Sequence, residues 1–135
     1  MAINLALDTN RYRDLCRGNP AIVAAVAGAD TVWLPFVVMA ELLAGFAAGS
    51  RGFENEAILR RFLLKPRVGV LYPDHHTVRV YAGLYQQLRR QGTPIPTHDL
   101  WIAAIVVQHE LTLLTRDAHF NVLPQLSRLD EPSGE

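Results

Sequence analysis

What most limits the fold of this chain is a regular alternation of short apolar runs with longer segments at helical spacing. Residues 3–7, 31–34, 68–72 and 111–115 are runs rich in Val, Leu, Ile and Trp, the pattern of strands buried on both faces. Helix-period segments separate them. Residues 11–17 form one, and 20–27 another, with Asn19 as N-cap, Pro20 in the first turn and Gly28 as the stop. Residues 36–48 run to Gly49, and 53–64 are amphipathic, with Glu54, Glu56, Arg60 and Arg61 on the wet side. Asp74 caps a long helix reaching Gln91. A proline-stiffened loop, 92–97, leads into 98–108, apolar enough to be a central, buried helix. A last short strand is expected at 127–130. Strands that alternate with helices form a mostly parallel sheet covered on both faces, an α/β fold. Functional residues in such a sheet sit just past the carboxyl ends of its strands.

The 135 residues suit one domain spanning 1–135, and with 50% hydrophobic and 19% charged residues the core needs no staple. The single Cys16 excludes an internal disulfide and a multi-cysteine zinc site, and reads as packing. Thirteen cations and thirteen anions cancel, which excludes a polyanion binder held by bulk charge. All the cations but Lys65 are Arg, the residue of two-pronged contacts to phosphate and carboxylate. Genomic base composition produces the same bias. No basic leader precedes the first apolar run, which Asp8 ends, and no apolar stretch approaches the ~20 residues of a spanning helix. A soluble, cytoplasmic protein with no membrane contact is expected.

Four of the acids stand in unusual places. Asp8 terminates the first strand, Glu41 interrupts an apolar helical turn after the second, Asp99 opens the apolar helix, and Asp117 follows the fourth strand. All four map to the same edge of the sheet. Each has a plain alternative: Asp8 as a turn former, Asp99 and Asp117 as helix caps, and Glu41 as the partner of an Arg such as Arg11 or Arg116. Glu41 is the hardest to explain so, because its apolar flanks imply burial, and a buried lone carboxylate costs several kcal/mol.

Taken together, four converging carboxylates repel one another unless a cation sits among them. An all-oxygen cluster suits Mg²⁺ or Mn²⁺ rather than zinc. Such a site serves phosphodiester cleavage, where a metal activates water and neutralises the developing charge. The neighbours fit that chemistry. Thr9 and Asn10 are placed to hydrogen-bond a ligating carboxylate, and Thr115 to do the same for Asp117 or to touch a phosphate. Arg11 and Arg116 flank the acids, either to clamp a nucleic-acid backbone or to pair with neighbouring carboxylates. His98 and His119 lie beside proposed acids, as substrate contacts or as ordinary polar helix-end residues. Adjacent His75 and His76 point about 100° apart on a helix and do not chelate one ion. No nucleophile elbow surrounds a serine, and no glycine-rich phosphate loop is present.

At these positions the sequence resembles PIN-domain ribonucleases, and among them the VapC-type toxins of bacterial toxin–antitoxin pairs. The resemblance is carried by Leu7-Asp8-Thr9-Asn10, by Met39-Ala40-Glu41-Leu42, by Gly92-Thr-Pro-Ile-Pro-Thr-His-Asp99-Leu-Trp-Ile-Ala-Ala104 and by Leu114-Thr115-Arg116-Asp117-Ala118-His119-Phe120. It covers essentially the whole chain. It implies a three-layer α/β/α sandwich and a Mg²⁺- or Mn²⁺-dependent endoribonuclease, with Asp8, Glu41, Asp99 and Asp117 as the metal-binding and catalytic acids. It implies further a structured RNA substrate such as tRNA or rRNA, a homodimer, and neutralisation by a small VapB-like antitoxin whose tail wraps the toxin. The chain departs from the family pattern at His98, where Asn is frequent, and at His119, where another acid sometimes occurs. With zero net charge, RNA must be held by local Arg patches and the cation, so binding should weaken with salt or EDTA.

A phosphatase or receiver domain also places Asp after a strand. Here, however, Asn10 occupies the second-Asp position of the haloacid-dehalogenase pattern, and no late lysine is available. The stronger alternative is a catalytically inactive PIN-like module that binds RNA or protein. Trp33, Phe46, Phe53, Phe62 and Leu63 are an apolar surplus, destined for the core, for a dimer seam or for the antitoxin groove near Gly49.

Overall fold

The computed structural model describes residues 2–129. Strands β1 (Asn4–Leu7), β2 (Thr31–Pro35), β3 (Val68–Leu71), β4 (Thr112–Leu114) and β5 (Arg128–Leu129) form one sheet in the order β3-β2-β1-β4-β5. Every adjacent pair is parallel. A parallel step needs a long crossover, and helices supply the first three. Helices α1 (Thr9–Cys16) and α2 (Pro20–Gly28) connect β1 to β2. Next come α3 (Phe36–Ala48) and α4 (Gly52–Leu63), and then α5 (His75–Gln91) and α6 (Thr97–Gln108) before β4. A single 3₁₀ turn, Ala118–Val122, lies between β4 and β5. This is the α/β/α arrangement expected. The chain starts at the central strand, moves outward through β2 and β3, and returns past β1 to β4. That reversal opens a crevice at the carboxyl end of β1.

Sheet residues Leu5, Leu7, Val32, Leu34, Leu113 and Leu114 are fully buried, as two-sided coverage requires. Helix α6 buries Leu100 and Ile102 to Val106 and is the central helix its composition predicts. An aromatic layer joins it to its neighbours. Trp101 stacks on Tyr81 of α5 with ring centroids 4.2 Å apart, and Phe36 of α3 meets it edge-on at 5.8 Å. Between β2 and β3 the sheet needs a glycine, because a Cβ on Gly69 would stand 2.7 Å from the Trp33 ring.

Several boundaries move by a residue or two, for local reasons. Helix α1 begins at Thr9 rather than 11, because Asp8 is its N-cap and accepts the Arg11 amide at 2.9 Å. Asp74 caps α5 as expected, accepting from the His76 and Thr77 amides, and Gly92 closes that helix in the left-handed conformation at φ +71°. The last strand is observed at 128–129; residue 130 and the acidic tail lie outside the described residues. Cys16 is exposed rather than packed, as the last residue of α1. Of the apolar surplus, Trp33, Phe46, Phe62 and Leu63 pack half-buried against the core, while Phe53 is 87% exposed. Among the described residues no helix is long and apolar enough to cross a membrane.

Candidate functional site

All four acids singled out above line one pocket of about 60 Å³ at the carboxyl end of β1. One ordered water needs roughly 10–15 Å³ of such space, so an ion with several waters fits. Its apolar back wall is Ile102 and Phe120.

Asp8 is the most rigidly held. The Arg11 amide donates to its Oδ1, and the Thr115 hydroxyl donates to its Oδ2. Thr115 is itself fully buried and accepts the Asp117 amide at 3.0 Å. One hydroxyl thus ties the ends of β1 and β4 together, across 107 positions of sequence. Burial pushes the Asp8 carboxyl above the ordinary carboxylate range; the Thr115 and Arg11 bonds pull it back, and the charge of Asp117 adds to the rise.

Asp99 is buried in the first turn of α6, yet it does not cap that helix. The N-cap is Pro96, with no side-chain cap bond. Its carboxylate turns instead to two histidines: Oδ2 lies 2.6 Å from His119 Nδ1, and Oδ1 lies 3.4 Å from His98 Nε2. Asp117 does cap the 3₁₀ turn, accepting the His119 amide at 2.9 Å, and its Oδ1 is 3.1 Å from His119 Nδ1. The bond to Asp99, helped by the charges of Asp117 and Asp99, raises the pKa of His119.

Glu41 corrects an expectation. Its apolar neighbours suggest burial, but it is exposed. Helix α3 turns Val37, Val38 and Leu42 inward and leaves Leu43, Ala44 and Ala47 outside, so its apolar run does not mark one face. Glu41 stands on the pocket lip and accepts the Thr9 hydroxyl at 3.1 Å. Asn10 lines the same pocket. Both arginines pair with Asp14, where Arg11 Nη1 is 3.2 Å and Arg116 Nη1 is 3.7 Å from its Oδ2 and Arg17 is 3.7 Å from its Oδ1, while the Arg11 charge also acts on Asp8. The ion-pairing alternative is the one realised, on an acid that the sequence reading did not single out. Asp14 is buried, and the signal was there in Arg11-x-x-Asp14, one helical turn apart.

The donor chemistry suits a divalent ion. Asp99, Asp117 and His119 each offer a ligand atom, and these atoms all lie within 4.8 Å of one another. Buried Asp8 and lip-standing Glu41 bring two more carboxylates to the same pocket. Such a set can hold a hard or borderline cation while leaving an open side toward solvent.

Comparison with known proteins gives a consistent picture. The PIN domain family matches residues 6–126. Ribonuclease VapC1 of Haemophilus influenzae is 35% identical over 115 residues, covering 82% of this chain and 84% of that protein. VapC ribonuclease Y4jK of Sinorhizobium fredii is 31% identical over 121 residues, covering 84% and 86%. Among solved structures, VapBC-1 from nontypeable Haemophilus influenzae superposes with a TM-score of 0.83 at 27% identity, covering 95% of this chain and 98% of that one.

Proposed function

The chain belongs to the PIN domain family as a VapC-type ribonuclease toxin, and we propose that Asp8, Glu41, Asp99 and Asp117 carry its activity by holding Mg²⁺ or Mn²⁺ against the phosphodiester backbone of tRNA or rRNA. The observation that carries this reading is the convergence of Asp99, Asp117 and His119 ligand atoms within 4.8 Å, beside the buried Asp8. A bound divalent ion would supply a polarised water as nucleophile and charge neutralisation at the phosphate.

The chain's own residues do the rest. Thr115 and the Arg11 amide fix the rotamer of Asp8, the anion nearest the strand end. Thr9 steadies Glu41 on the lip, where an RNA strand enters. Ile102 and Phe120 keep bulk water from the back of the pocket, which strengthens every charge interaction within it. The acidic pocket repels phosphate until a cation fills it, so cleavage and tight RNA binding are both metal-dependent.

A cognate antitoxin keeps such a toxin silent. The surface that suits it is the groove between α1 and α4, floored by Tyr12, Cys16 and Ile58 and edged by Arg13, Arg17, Arg61 and Lys65. Apolar floor and basic rim match an amphipathic, acidic segment. We read the protein as a homodimer of one domain each.

The test is direct. Purified protein, freed of antitoxin, is incubated with total bacterial tRNA and rRNA in Mg²⁺, in Mn²⁺ or in EDTA. Discrete fragments in the metal lanes alone are expected. Cleavage that persists in EDTA refutes the metal site, and no cleavage in any lane shifts the reading to an inactive binding module.

A further inference from the structure

We propose that His119 Nδ1 is itself a metal ligand, so that this pocket is a mixed carboxylate–imidazole site selective for Mn²⁺ over Mg²⁺. The inference rests on reading the pocket as a divalent-metal site.

The geometry singles out this atom. His119 Nδ1 lies 2.6 Å from Asp99 Oδ2 and 3.1 Å from Asp117 Oδ1. Ligand atoms at right angles around an ion, with bonds of about 2.1 Å, stand about 3 Å apart. The Asp117 separation is that of neighbouring vertices in one coordination sphere, and the shorter Asp99 contact is a hydrogen bond whose proton is released when an ion takes its place. The backbone fixes the arrangement, because the His119 amide donates to Asp117 Oδ1 at 2.9 Å and sets the 3₁₀ turn from which the ring projects. The other imidazole of the pocket is less well placed: His98 Nε2 stands 3.4 Å from the opposite oxygen of Asp99 and does not join the cluster. Asp8 accepts one internal donor on each carboxylate oxygen, from the Arg11 amide and from Thr115, and keeps a lone pair on each for the same ion.

One nitrogen changes the chemistry of the site. Mg²⁺ is hard and takes oxygen ligands, whereas imidazole suits transition-metal ions. An acid at position 119 would complete an all-oxygen set that accepts Mg²⁺ readily. With histidine there, the same pocket discriminates in favour of Mn²⁺.

The experiment measures metal binding rather than turnover. Full-length protein is stripped with EDTA, dialysed, and titrated with Mn²⁺ and separately with Mg²⁺ by calorimetry. The Mn²⁺ complex is then examined by pulsed electron paramagnetic resonance for nitrogen coupling. The wild type is expected to bind Mn²⁺ more tightly than Mg²⁺ and to show an imidazole nitrogen on the ion. In His119→Ala that coupling disappears and Mn²⁺ affinity falls at least about tenfold, since outer partners alone are worth 10–100-fold. In His119→Asp binding remains but the Mn²⁺ preference shrinks. His98→Ala keeps the nitrogen signal. Circular dichroism establishes that each variant is folded. Mn²⁺ bound without nitrogen coupling, or with unchanged affinity in His119→Ala, overturns the inference and leaves the metal reading standing. A folded wild type that binds neither ion overturns both.

Discussion

Replacing Thr115 by Val keeps the shape of a fully buried side chain and removes one oxygen that makes two hydrogen bonds. The first goes to the Asp8 carboxylate, and bonds to charged groups are worth about 1.5–3 kcal/mol. The second is accepted from the Asp117 amide, and stranding a buried donor costs about 1–3 kcal/mol. Asp117 is only half-buried, so its amide falls at the lower end. Together the loss comes to about 3 kcal/mol at pH 7. At about 3 °C per kcal/mol for a chain of this size, Tm falls by about 9 °C. Thr115→Ser retains the hydroxyl and gives up one methyl, about 0.8 kcal/mol, which makes it the control. The Thr115 bond lowers the Asp8 pKa, so it favours the ionised form. The penalty of Thr115→Val therefore shrinks as the pH falls through the raised pKa of Asp8 and the carboxyl becomes neutral. Urea titrations followed by circular dichroism at pH 7 and at mildly acidic pH measure both effects. A Val variant no less stable than the Ser variant at pH 7 refutes the coupling of β1 to β4 through this hydroxyl.

Asp8→Asn should raise the Tm of the EDTA-treated protein at pH 7 while abolishing cleavage. Burial raises the folded pKa of Asp8 above its ordinary 3.8, so the fold favours the neutral form. That contribution is complete below pH 3.8 and is lost as the pH rises through the raised value, above which the buried carboxylate is ionised. The Tm gain should disappear under acidic conditions; a variant less stable than wild type at pH 7 contradicts the assignment. Gly52→Ala places a Cβ against the Phe46 carbonyl, where backbone cannot yield. It should cost about 1–3 kcal/mol by urea titration and leave cleavage per folded molecule unchanged.

Much of the fold was legible in the residues because local and global signals agree. The apolar runs at 3–7, 31–34, 68–72 and 111–115 became β1 to β4, and the caps at Asn19 and Asp74 sit where the pattern placed them. The four acids do reach one pocket, since Asp8 and Asp117 follow parallel strands, Asp99 lies in the first turn of α6 and Glu41 in the second turn of the helix that leaves β2. What escaped the reading depends on tertiary direction. Glu41 lies in an apolar stretch whose solvent face is also apolar, so composition could not tell its side. His119 looked like a helix-end residue because its contacts to Asp99 arise 20 positions away. Arg11 and Arg116 stand beside the acids in sequence, and the pairing of both with a buried Asp14 is a tertiary contact that the residue order does not show. Sequence order pairs the Thr115 hydroxyl with the Asp117 carboxylate; the hydroxyl donates across the sheet to Asp8 and meets Asp117 only by accepting its amide.

The central claim, that the pocket beyond β1 is a metal-dependent ribonuclease site, is tested most directly with Asp99→Asn. Asp99 is buried, caps no helix and meets Asp117 and His119 at the cluster, so the substitution preserves shape and removes charge. Single-turnover cleavage of tRNA and rRNA in saturating Mn²⁺ should fall by at least about a hundredfold, with the circular dichroism spectrum unchanged. Wild-type rates in a folded Asp99→Asn protein would place the chemistry elsewhere.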